Sequence, residues 1–216
     1  MDYLNIDDND VEIWQKLAFA FRNIKDFENA FQAAFNALDL KKDDDWTMYI
    51  ISKIYTDKED FENAYKWICK ALEIDPSYVR YVGEKGALLY KLGYSNEAII
   101  GLLTIRRTFA NPHYCDESLA NIYNELAELY KKSAYEYDST GNAIEPGTYI
   151  PELIEQAVLY YNNSIKYYNY AIDGFKKDEK ITEGYCAVVN MTKSLIEQKL
   201  KSLYETKKLA EQYGVS

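Results

Sequence analysis

The chain has 216 residues, 48% apolar and 28% charged, an ordinary balance for a soluble protein. Its formal charge of −10, with only four arginines, argues against general nucleic-acid binding, which needs Lys and Arg to displace phosphate counterions. Cys69, Cys115 and Cys186 lie far apart with no CxxC pair, and His113 is the single histidine, so a zinc site is not expected and the cysteines read as free thiols in a reducing compartment.

Residues 1–10 form an acidic lead-in, unlike a secretory or mitochondrial leader. No apolar run approaches the roughly 20 residues that span a bilayer. A cytoplasmic location without membrane contact is expected.

From Val11 the pattern is helical: Ile13, Trp14, Leu17, Ala18 and Phe21 make an apolar stripe at three- and four-residue spacing. A polar break at Arg22–Asp26 is followed by a second helix from Phe27 to about Leu40, with Ala30, Ala34 and Ala37 on one face. After the charged turn 41–45 the pattern restarts. The phrase Asp26-Phe27-Glu28-Asn29-Ala30 returns letter for letter as Asp60-Phe61-Glu62-Asn63-Ala64, 34 residues on, and loosely as Tyr94-Ser95-Asn96-Glu97-Ala98 after another 34. A fixed period of this size signals stacked helix pairs, none of which can bury its apolar face alone. Small residues at Ala18/Ala30, Ser52/Ala64 and Gly86/Ala98 let paired helices approach closely. Asp75-Pro76 and Asn111-Pro112 end the second and third copies.

Beyond Pro112 the period breaks. Asp116, Leu119, Ala120 and Tyr123 restart the first-helix stripe, but the turn expected near 124–128 does not come, and a helix is predicted to about Tyr137. A turn-rich loop follows at 138–150, then a helix carrying Ala157, Tyr161 and Ser164 to about Phe175. The last segment, about 179–213, is one long helix or two short ones meeting at Gly184. Its stripe is Tyr185, Val189, Ile196, Leu200 and Leu203, and it is expected to have a polar back. His113, beside Pro112, reads as a solvent-exposed turn residue, and the tyrosine-rich run 160–170 as packing between long helices.

Trp14, Leu17, Ala18 and Phe21, with Phe27, Ala30 and Ala37 and, one period later, Phe61, Ala64, Ala71 and Pro76, resemble the tetratricopeptide repeat over residues 11–112. The third copy departs from the pattern at Lys85. The fold the resemblance implies is all-α: a right-handed α-solenoid of antiparallel helix pairs. Its parts would be three regular repeats (11–44, 45–78, 79–112), an elongated pair (113–176) with the enlarged loop 138–150, and a C-terminal capping helix (177–216).

The resemblance further implies that the first helix of each pair lines a concave groove that takes an extended peptide or a partner helix. The candidate groove residues are Gln15, Phe19, Arg22, Trp46, Tyr49, Ile50, Lys53, Arg80, Glu84, Tyr90 and Tyr114. Phe19, Trp46, Tyr49 and Ile50 either anchor a partner or pack on neighbouring helices. The two-carboxylate clamp by which some members grip acidic chaperone tails falls at Gln15, Phe19, Ile50, Arg80 and Glu84, where only Arg80 keeps the character and Glu84 reverses it. A neutral or basic apolar peptide is therefore the expected ligand.

No GxSxG, Walker, HExxH or dinucleotide-binding pattern is present, so no enzyme activity, cofactor or metal is expected. The leading reading is a non-catalytic adaptor, scaffold or co-chaperone. A homo-oligomer built through helices 114–137 and 179–213, and a sensor of a peptide signal, stand as alternatives.

Overall fold

A computed structural model describes residues 10–134, 151–178 and 181–213. The loop 138–150, the end of the predicted helix at Tyr137 and all but the last residue of the lead-in lie outside them. The described elements are all α-helices: α1 (Val11–Asn23), α2 (Phe27–Leu40), α3 (Asp45–Asp57), α4 (Phe61–Ile74), α5 (Val79–Lys91), α6 (Ser95–Ile105), α7 (His113–Ala134), α8 (Pro151–Phe175) and α9 (Glu183–Tyr213). The chain forms two compact units, Met1–Gly101 and Leu102–Ser216.

In the first unit, one turn is built three times. Lys25 N donates to Arg22 O and Asp26 N to Phe21 O, both at 2.9 Å. Glu59 and Asp60 repeat these bonds to Thr56 and Tyr55, and Gly93 and Tyr94 to Tyr90 and Leu89. This 6→1 and 5→2 pair is a Schellman helix end, which needs a left-handed residue at its fifth position. Lys25 (φ 61°), Glu59 (φ 61°) and Gly93 (φ 92°) occupy it.

The next residue opens the second helix. Asp26 accepts from Asn29 N (3.3 Å) and Asn29 Nδ2 (2.7 Å), and Asp60 accepts from Asn63 N (3.2 Å) and Nδ2 (2.8 Å). The recurring phrase is thus a capping device. Its Asp satisfies the orphan N–H groups of the helix start, its Asn doubles the bond, and its Ala enters the helix–helix contact. Ala18, Ala30 and Ala34 are buried with Ile50, Ile51 and Ile54; Ala64, Ile68 and Ala71 with Met48, Tyr49 and Tyr81. Ser52 Oγ donates to Ala64 O at 2.9 Å, so this close approach is a hydrogen bond as well as a packing contact.

The second unit keeps that contact on a larger scale. Ser164 Oγ donates to Ala120 O at 2.8 Å, across 44 residues instead of 12. On either side of it α7 and α8 lengthen, with Ala127, Ala134, Ile154 and Ala157 buried. The tyrosines pack here as rings: Tyr123 stacks on Tyr160 (6.0 Å) and Tyr167 (5.6 Å), and Tyr130 contacts Tyr160 (5.2 Å).

Arg106 Nε bonds Asp116 Oδ1 at 2.6 Å and its guanidinium lies over Tyr167 and Tyr170. Burial pushes the Asp116 carboxyl above its ordinary value even though Arg106 pulls it down. At the other end Asn111 Nδ2 donates to Gly174 O (3.0 Å), and a Cβ on Gly174 would lie 2.6 Å from His113 Cβ, which fixes glycine there.

One expectation is corrected and two are narrowed. His113 is not an exposed turn residue: it begins α7, is 3% exposed, and sits 3.2 Å from Asp178 and 4.8 Å from the Phe175 ring. Gly184 does not divide the last helix, because it falls in the first turn of α9, where its missing side chain costs little. The exposed side of α9 is polar for the most part but also carries an apolar strip, Val188, Met191 and Leu195.

Candidate functional site

The first helices of the pairs, α1, α3 and α5, carry a chain of aromatic rings within the first unit. Phe19 lies 6.2 Å from Trp46, Trp46 5.1 Å from Tyr49, Tyr49 5.5 Å from Tyr81, and Tyr81 4.5 Å from Tyr78. Trp46 and Tyr49, three apart on α3, put their rings on one face, and Phe19 and Tyr81 reach them from the neighbouring helices. Arg22 lies over Phe19 (5.9 Å) and Arg80 over Trp46 (5.3 Å), at cation–π distance. Tyr81 is 1% exposed; its hydroxyl donates to Asp45 Oδ2 at 2.8 Å, and burial with that carboxylate pushes its pKa up.

Polar pairs between successive repeats run alongside. Gln15 Nε2 donates to Asp44 Oδ2 (2.7 Å) and Thr47 Oγ1 (3.0 Å). Asp44, the N-cap of α3, also accepts from Thr47 N (2.9 Å), Thr47 Oγ1 (2.6 Å) and Lys41 Nζ (2.6 Å). Burial alone would raise the Asp44 carboxyl, but Lys41 and Thr47 more than offset this and hold it below its ordinary value. Arg22 engages both oxygens of Asp57 (2.7 and 3.1 Å), and Lys53 both oxygens of Glu84 (3.1 Å each).

The sequence-derived groove residues therefore divide. Gln15, Phe19, Arg22, Trp46, Lys53, Arg80, Glu84 and Tyr90 are half-buried in the first unit. Ile50 is fully buried in the core with Ile51 and Ile54, and Tyr49 is buried between Trp46 and Tyr81, so for these two the packing alternative describes the side chain. Tyr114 belongs to the second unit, where it is buried against His113 (4.5 Å) and Phe175 (5.2 Å).

Sequence reasoning missed Asp44, Asp57 and Tyr81. The signal for the first two was available: Gln15–Asp44, Arg22–Asp57 and Lys53–Glu84 are complementary polar residues about one repeat apart. Among the described residues no group of three metal-ligating side chains comes together, and no helix is long and apolar enough to cross a membrane.

A family model described as tetratricopeptide repeat matches residues 47–78. No curated protein sequence matches the chain. Among solved structures, MamA from Desulfovibrio magneticus RS-1, from residue 41 to its end, superposes with a TM-score of 0.50 at 14% identity, over 93% of this chain and 97% of that one. PilF of Pseudomonas aeruginosa (TM-score 0.48, 15% identity, 94% and 88% covered) and YrrB (0.49, 15%, 94% and 94%) are also found. At such identity the MamA likeness bears on fold alone. A tetratricopeptide repeat is thus matched at 47–78, and helices begin at the same 34-residue spacing on both sides of it.

Proposed function

We propose that the α1–α3–α5 face binds a segment of another protein, without catalysis, so that the chain acts as an adaptor or scaffold. The observation that carries this reading is the half-buried pair Phe19 and Trp46, flanked by Arg80 and set beside the buried rings of Tyr49 and Tyr81. Aromatic rings beside an arginine are the usual anchors of protein interfaces.

The charges of the face favour a neutral or basic ligand with apolar side chains. Arg22 and Lys53 are held by Asp57 and Glu84, so an acidic tail would have to displace those carboxylates.

The test is retention of partners from the native cell lysate by wild type and by a Phe19→Ala/Arg80→Glu variant whose helicity is checked by circular dichroism. A partner held by wild type and lost by the folded variant supports the reading. Equal retention by both would sink it.

A further inference from the structure

Helix α9 has two apolar stripes. Val189, Ile196, Leu200 and Leu203 face inward and are buried. About a third of the way round the helix, Val188, Met191 and Leu195 are 60%, 68% and 56% exposed. Their spacing of three and four is the heptad seam of paired helices. The same spacing continues through Gly184, Gln198 and Ser202, so no charged side chain interrupts the seam over about five helical turns.

We propose that this seam pairs with the α9 seam of a second copy of the chain, antiparallel and centred between Met191 and Leu195. Charge selects this occupant. The chain as a whole carries −10, so copies repel over most of their surface. Between 183 and 205, however, Glu183, Glu197 and Glu205 balance Lys193, Lys199 and Lys201, and that stretch of the helix is neutral.

The distribution along the helix sets the direction. The first ten residues of α9 carry only Glu183, and Lys193, Lys199 and Lys201 lie beyond them among Glu197 and Glu205, with the Lys201 side chain 81% exposed. An antiparallel partner lays its acidic start beside the stretch with the excess lysine. A parallel partner would stack like on like. In the antiparallel register Met191 faces Leu195 of the second copy, and Val188 faces Gln198. Three exposed apolar residues per copy are fewer than a standard interface contains, so the association is weak and depends on concentration.

The register gives a charge-swap test on the full chain by sedimentation velocity, from about 1 µM to about 1 mM, the range in which weak complexes form. Wild type is expected to move toward twice the protomer mass. Met191→Lys alone and Leu195→Glu alone should each stay monomeric with unchanged helicity, since both side chains are exposed. Mixing the two variants should restore association, because the lysine introduced in one copy then meets the glutamate introduced in the other, while Leu195 and Met191 still meet at the second crossing. Wild type that stays monomeric throughout overturns the proposal. So does association that survives either single variant, as would be seen if another surface were responsible. Single variants that dissociate but fail to recover on mixing overturn the antiparallel register.

Discussion

At residues 24–26 and 58–60 the chain turns, and at the corresponding place in the second unit, residues 126–128, it does not. These two turns join a left-handed residue to an Asp that caps the next helix, and the third joins Gly93 to Tyr94. In the second unit those two positions hold Ala127 and Glu128. Alanine is the best helix former, and a glutamate does not make the short capping bond of an aspartate.

Helix α7 therefore continues. Ala127 becomes a fully buried contact, and Glu128 takes Lys199 of α9 at 2.6 Å. Burial alone would raise the Glu128 carboxyl, but the bonds from Lys199 and Tyr161 bring it below its ordinary value. With a helix former at the left-handed position the turn gives way to a longer hairpin, while the Ser–backbone contact at its base is kept.

The buried acids sharpen the contrast, because they respond to pH with opposite signs. Replacing Arg106 by Ala should have the largest effect. It leaves Asp116, whose side chain is 3% exposed, without its cation, and such losses cost about 3–5 kcal/mol. Urea denaturation should show the loss at neutral pH and its relief in acid. The Asp116 carboxyl is raised above 3.8, so its contribution is full below that pH and is lost as pH rises through the raised value.

Asp44→Ala in the first unit should cost about 2 kcal/mol, through the lost cap and the stranded Thr47 and Gln15 donors. Here the sign reverses. The Asp44 carboxyl is held below 3.8, so its stabilisation is present above that pH and disappears as pH falls through the depressed value. An acid titration of stability in which Asp44→Ala and wild type differ equally at pH 2 and pH 7 would contradict this (the pH values are about those that bracket carboxylate titration).

Ser52→Ala and Ser164→Ala should each cost about 1 kcal/mol, the net worth of one buried hydrogen bond to a helix carbonyl. Unequal costs in thermal melts would show that the two contacts are not the same device. The smallest effect is expected from Glu59→Gly. The left-handed turn is relieved but the unfolded chain gains freedom, for a net stabilisation of about 0.5 kcal/mol in the same melts.

Much of the fold was legible because the repeated signals are local. The alternation of stripe, break and small residue places α1 to α4 almost to the residue, and Ala18, Ala30 and Ala64 prove fully buried. The binding face was less legible. Tyr49 and Ile50 occupy positions equivalent to Gln15 and Lys16 one repeat earlier, yet the former are buried and the latter are not. Helix α1 has a single fully buried residue and α3 has seven buried ones, because among the described residues α3 has neighbouring helices on both sides and α1 on one only. Burial at one repeat position changes with place in the stack, which no periodicity can report.

The sequence by itself determined the period, the helix boundaries that Asp caps impose, and the small residues that let helices meet. These depend on interactions within a few residues or at a fixed spacing. Tertiary structure alone decided which aromatic rings lie in the core and which reach the surface, that Arg22 and Lys53 are already held by carboxylates, that His113 is buried, and that α9 shows an exposed apolar strip. Each of these depends on what packs against a side chain from a distant part of the chain, and a residue's own neighbours in sequence carry no record of it.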